Sequence, residues 1–349
     1  MEKWQKILRK SGISLKETAE KYDLDLEKLE KITNKFPFFV NSYYFSLIRE
    51  KGDAIYKQCI PDEMELLGNE DLMDDPLGEE THTPAPCIVH RYEDRCLLLV
   101  SNSCAMYCRF CTRKRKFETP MCVDRTKVLQ GIEYIRNTHS IHDVLITGGD
   151  PLLLDESLLE EYLEKLHAID HVDYIRIGSR VPCVLPQRIT TKLVKKLKKY
   201  HPLYMNFHFN HPAEITPESA KALNLLADAG IVLGSQTVLL KGVNDDPLVL
   251  QSLMRKLLAC RVHPYYLFHA DLVFGTEHFR VSLKKGLELM DFLRNNNSGM
   301  AVPHYAIDLP GGGGKIQLVP DHEVSRKGRI ITYRNFCGEL WDFPDVEEE

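Results

Sequence analysis

From residue 96 onward, short apolar runs alternate with longer stretches whose apolar residues recur three and four apart. The runs are Cys96–Val100, Asp143–Thr147, Tyr174–Ile177, Leu203–His208, Ile231–Gln236 and His263–Phe268. Helical patterns follow them over 126–138, 156–167, 187–199, 217–229, 247–259 and 282–296. A short unbroken apolar run fits a strand covered on both faces, and a 3.6-residue period fits a helix packed along one face. Strand-then-helix units in series predict a parallel sheet with right-handed crossovers. The expected class is α/β, best satisfied by a partial (β/α)6 barrel. A doubly wound sheet has the same periodicity and stays open as the alternative. In a barrel, function belongs at the carboxyl ends of the strands.

The first 85 residues read differently. Leu15–Tyr22 and Leu26–Phe36 carry helical spacing with many charges, and a polar, acidic, proline-containing stretch runs from Pro61 to Pro86. These predict a helical region and extended connector over 1–85, ahead of a barrel at 86–298 and a C-terminal segment at 299–349. An apolar fraction of 44% and a charged fraction of 27% in 349 residues are those of an ordinary globular protein. Lys+Arg 45 against Asp+Glu 50 leaves a net charge of −5, which argues against nucleic acid as a partner. No apolar run nears the ~18 residues a membrane helix needs. The start, Met1-Glu2-Lys3-Trp4-Gln5-Lys6, lacks a signal-peptide core, so a cytoplasmic protein is expected. The final Glu347-Glu348-Glu349 reads as a solvated tail.

Ten cysteines change the picture more than composition does. Most are scattered singly, as small buried apolar residues are. Cys104, Cys108 and Cys111 are clustered, with three and then two residues between them, just past the first strand. In a reducing compartment such spacing points to a metal or to catalysis rather than to disulfides. Structural zinc takes four ligands and an electron-transfer cluster four cysteines, and no second tight pair is present to complete either. Three thiolates on a four-iron cluster would leave one iron open to a substrate. A zinc site completed by a remote His or Cys is the competing reading. Gly148-Gly149-Asp150 ends the next strand, where glycines permit close backbone approach.

The cysteine spacing resembles the radical S-adenosylmethionine (SAM) signature. Three segments together, Cys104–Arg113 (CAMYCRFCTR), Thr147–Leu152 (TGGDPL) and Pro310–Lys315 (PGGGGK), resemble the lysine 2,3-aminomutase family. The resemblance runs from about His90 to Lys315. It implies a radical SAM partial barrel and an isomerase that moves the α-amino group of L-lysine to Cβ, giving β-lysine. The implied cofactors are a [4Fe-4S] cluster, SAM and pyridoxal 5′-phosphate (PLP). A 5′-deoxyadenosyl radical abstracts the hydrogen, and the PLP-bound nitrogen migrates.

Residue roles follow from the same resemblance. Cys104, Cys108 and Cys111 hold the cluster. Gly148, Gly149, Asp150, His208 and Gln236 meet SAM, with Asp150 accepting from its ammonium and the last two lying at strand ends. Arg91, Tyr92 and Arg95 grip the PLP phosphate, and Lys315, freed by four glycines, carries PLP covalently. Arg113 holds the substrate carboxylate, while Asp271 and Asp308 hold the lysine ε-ammonium and repel a distal carboxylate.

Each has a plainer reading taken alone. Paired arginines near a strand form surface ion pairs, lone aspartates cap turns, and a strand-end histidine is a satisfied core residue. In the basic run Arg113-Lys114-Arg115-Lys116, the last three are expected to be solvated. The glycine loop is not a P-loop, because Ile316 follows the lysine where Ser or Thr is needed. Beyond Cys260 only Cys337 remains, so the C-terminal zinc site of some family members is not expected, and their larger oligomers are in doubt. A homo-oligomer and a donor such as flavodoxin or ferredoxin are the implied partners. Alternatives are a β-lysine-forming mutase serving elongation factor P modification, a mutase for another amino acid, and a non-catalytic iron–sulfur or zinc protein.

Overall fold

A computed structural model describes residues 2–10, 13–118, 123–335 and 337–345. Cys122 and the Glu347–Glu349 tail lie outside them. Nine strands form one sheet in chain order: β1 Ile88–Tyr92, β2 Arg95–Ser101, β3 Asp143–Gly148, β4 Tyr174–Ser179, β5 Leu203–Phe207, β6 Val232–Leu239, β7 His263–His269, β8 His304–Leu309 and β9 Gly314–Gln317. Strands β2 to β8 pair in parallel. Antiparallel β1 and β9 close the two edges as hairpins. All six expected strand-then-helix units are present, and β8 adds a seventh parallel strand after the helix Leu283–Asn296.

The inward strand faces and the helix faces over them share one apolar core, in which Leu98, Val144, Ile146, Ile177, Met205 and Phe207 are all buried. One helical expectation is shortened. Pro182 and Pro186 break 181–188 into two short turns, and Thr190 then caps a helix at Thr191–Leu197 by accepting from the Leu193 amide.

The sheet curls until its edges meet through side chains. Arg91 on β1 donates to Asp308 on β8, and the Lys315 amide on β9 donates to the Tyr92 hydroxyl on β1. The N-terminal region packs against the cysteine loop. Val40 bridges Met106, and the Tyr107 amide donates to the Phe39 carbonyl at 2.9 Å. After β9, a separate three-stranded antiparallel sheet, β10 Glu323–Lys327, β11 Ile330–Arg334 and β12 Leu340–Pro344, is mostly exposed. No helix among the described residues is long and apolar enough to cross a membrane.

Candidate active site

The cysteine loop leaves β2 at the carboxyl end of the parallel strands, and charges that the sequence presents as surface hold it from behind. Arg109, 1% exposed, donates to both Glu65 oxygens and to the carbonyls of Phe36 and Pro37. Lys114, equally buried, donates to Glu65 at 2.7 Å and to the Gly275 carbonyl at 2.6 Å. The expected solvation of the basic run is therefore wrong for Lys114. It is also wrong for Arg115, which pairs with Asp75 and Glu79. The cause is the acidic connector, which folds back over the loop and neutralises it. Burial pushes the Cys111 thiol up to about 11 and raises that of Cys104 as well.

The turn after β3 is stitched to this loop. Gly149 donates to the Ser101 carbonyl and Asp150 to that of Ser103. Gly148 has φ +127°, and a Cβ there would lie 2.5 Å from the Ser101 oxygen, so glycine is required. The Asp150 carboxylate accepts from Ser179 Oγ and from the amides of Leu152, Arg180 and Val181, so it ties the β3 turn to the β4 turn. Burial still raises it to about 6. His208 follows β5, and burial, then the charge of Arg180, holds its imidazole neutral, down at about 4. Gln236 stands inside β6 rather than at its end, because that strand continues to Leu239.

Across the mouth, Asp308 lies between two cations. Arg91 Nη2 is 2.9 Å from one oxygen and Lys315 Nζ 3.7 Å from the other. The Tyr92 hydroxyl accepts from both Arg91 and the Lys315 amide, each at 2.9 Å. The Lys315 ammonium stands 4.6 and 4.2 Å from the ring centres of Tyr266 and Phe268. Burial, only partly offset by Asp308, lowers its pKa. Arg95 packs over Tyr92, 3.7 Å from the ring centre, while its head pairs with exposed Asp94.

Asp271 accepts from Thr112, the neighbour of Cys111, at 3.0 Å. Burial, then the charge of Asp308, pushes it up to about 6. Arg113 reaches Glu79 at 2.7 Å and the Gly148 carbonyl at 3.3 Å. The cysteine loop, the Gly148 turn and the Asp271–Asp308 pair thus meet at one mouth. Glu65, Glu79, Thr112 and Arg180 also belong to it. The sequence offers no periodic or motif signal for them, since their partners lie 34 or more residues away.

The radical SAM superfamily model matches residues 98–250, and the C-terminal model described as lysine-2,3-aminomutase matches 290–349. The L-lysine 2,3-aminomutase of Methanococcus maripaludis is 49% identical over 92% of this chain and 75% of its own length. That of Fusobacterium nucleatum is 45% identical over 97% and 81%. The glutamate 2,3-aminomutase of Clostridioides difficile is 44% identical over 91% of this chain and 76% of its own length. The chain belongs to the lysine 2,3-aminomutase family.

A lysine 2,3-aminomutase family member is a radical SAM isomerase, and the radical SAM domain implies a [4Fe-4S] cluster and SAM. The donors in this chain fit them. The Cys104 thiol lies close enough to those of Cys108 and Cys111 to feel their charge, so the three can serve one shared cluster. The guanidinium of Arg180 reaches the loop as well, with Nη1 2.8 Å from Cys108 Sγ, a donor suited to a ligating sulfur. For PLP, the socket of Arg91, Tyr92 and Lys315 offers two cations and a hydroxyl at one point, which suits a phosphorylated aldehyde.

Proposed function

We propose that this enzyme is a PLP-dependent L-lysine 2,3-aminomutase, forming β-lysine. The observation that carries the reading is the position of Asp308, in ion-pairing distance of both Arg91 and Lys315, with Asp271 close enough to feel its charge. Two carboxylates favour a substrate whose far end is a cation, and they disfavour glutamate. The substrate carboxylate falls to Arg113, whose Nε and Nη2 edge pairs with Glu79 and whose Nη1 reaches the Gly148 carbonyl at the same turn. Pinning both ends restricts which carbon faces the reactive centre.

When bound, the cluster with SAM supplies a hydrogen-abstracting radical, and PLP supplies the π-system across which nitrogen moves. The chain's own groups bind, orient and exclude water. Cys104, Cys108 and Cys111 are the cluster ligands. The Gly148-Gly149 turn and neutral His208 line the SAM side, with Gln236 on the neighbouring strand. Arg91 and Tyr92 anchor the phosphate, with Arg95 packed behind Tyr92, and the depressed pKa of Lys315 favours the free amine that must react with PLP. A one-electron donor such as flavodoxin or ferredoxin, in a cytoplasmic setting, supplies the electron.

Two variants test this together. Lys315→Ala should lose the visible absorption of covalently bound PLP and nearly all turnover, yet retain iron and sulfide after anaerobic reconstitution. Cys108→Ala should do the reverse, losing the cluster while still taking up PLP. A Lys315→Ala protein that keeps the PLP absorption would assign the cofactor to another lysine.

A further inference from the structure

The guanidinium of Arg180 is built into the barrel mouth from every side. Arg180 follows β4, and its side chain is 9% exposed. Nη2 donates to Gln58 at 2.6 Å and to fully buried Glu214 at 2.8 Å, with Tyr44 Oη at 3.3 Å. Nη1 donates to Cys108 Sγ at 2.8 Å. The aromatic rings of Tyr44 and Phe110 cover it, with centres 5.5 and 5.0 Å away. Glu214 is itself fixed by the amides of Asn210 and His211 and by the hydroxyl of Tyr44. A buried arginine with only one carboxylate partner is a costly arrangement if its sole task is to fill the core. Its fork divides between an anion on one side and a thiol sulfur on the other.

We propose that Arg180 sets the reduction potential of the cluster, its charge and its Nη1 hydrogen bond to Cys108 favouring the reduced state, with Glu214 as the counterweight. This rests on Cys108 being a cluster ligand, as proposed above. Reduction adds one negative charge to the cluster. A hydrogen bond to a ligating sulfur, and a cation held in a low-dielectric setting, stabilise that extra charge and raise the potential. Glu214 acts oppositely by cancelling part of the cation's field. Arg180 is thus a positioning residue acting through Cys108, and the two residues have opposite predicted signs.

The test is a mediated redox titration of anaerobically reconstituted full-length protein, followed by the electron paramagnetic resonance signal of the reduced cluster. Arg180→Met should lower the midpoint, leaving about tenfold less reduced cluster at a fixed potential, which for a one-electron couple is about 59 mV. Arg180→Lys keeps the charge but shortens the reach to Cys108, and it should fall between Arg180→Met and wild type. Glu214→Gln should raise the midpoint. If Arg180→Met fails to assemble a cluster, the other two variants carry the test alone. Unchanged midpoints in cluster-loaded variants, or shifts of the same sign for Arg180→Lys and Glu214→Gln, overturn the proposal while leaving the cluster assignment intact. A wild-type protein that assembles no cluster overturns the reading beneath it instead.

Discussion

In the proposed reading, substrate choice turns on two carboxylates with different company. Asp308 already faces Arg91 and Lys315, whereas Asp271 has a hydroxyl partner and is pushed up to about 6 by burial and by Asp308. Lysine binding requires Asp271 ionised, and the incoming ammonium stabilises the ionised form. The kcat/KM for lysine should therefore rise as pH increases through about 6, with proton release on binding below that point. Asp271→Asn should remove this acid limb and lower kcat/KM at pH 7 by ten- to a hundredfold, about 1.5–3 kcal/mol for one charge-assisted hydrogen bond. Norleucine, with no distal charge, should lose less. An acid limb surviving in Asp271→Asn would place the titrating group elsewhere. At this scale the motifs mark residues that the fold brings into contact: Arg113 with Gly148, Thr112 with Asp271, and Asp308 with Arg91 and Lys315. The burial of Lys114 is not legible, because its partners are supplied by distant segments that local spacing does not reveal.

The connector is the element that departs most from the extended linker its composition predicts. It lies across the glycine turn. Gly311 donates to the Pro76 carbonyl at 2.8 Å, and His82 Nδ1 donates to the Gly78 carbonyl at 2.7 Å. Gly312 has φ +85°, and a Cβ there would come 2.6 Å from His82 Cε1. Gly312→Ala should thus meet both backbone strain, about 1–2 kcal/mol for the left-handed conformation, and a displaced His82. The expected result is weaker PLP retention on dialysis and a lower kcat, with cluster content unchanged. His82→Ala in the same chain should recover part of the loss by removing the clash but not the strain. The strands and helices of the barrel, by contrast, were readable because each buries one regular apolar face. The strand β8 and the edge hairpins were not, since β1 carries the polar His90-Arg91-Tyr92 and β8 carries Asp308 near its end.

Across the whole molecule, the N-terminal region serves as a brace for the reactive loop. Glu65 neutralises Arg109 and Lys114 together, and all three are buried. Glu65→Gln would leave two buried cations short of their anion, a loss of about 3–5 kcal/mol, visible as a lower Tm and poorer cluster assembly. The acid behaviour has a defined sign. Arg109 and Lys114 outweigh burial and hold Glu65 low, and Arg113 and Arg115 likewise hold Glu79 at about 2 against an ordinary 4.5. Their stabilisation is present above about 4.5 and is lost as pH falls toward about 2, so Tm should drop over that window and less steeply in Glu79→Gln. The central claim, a lysine 2,3-aminomutase built on this mouth, is tested most directly by one anaerobic assay. Reconstituted enzyme with SAM, PLP and a strong reductant is given L-lysine and L-glutamate in competition, and the products are resolved by mass. The account predicts β-lysine with little or no β-glutamate; β-glutamate as the main product, or neither product from enzyme loaded with both cluster and PLP, would contradict it.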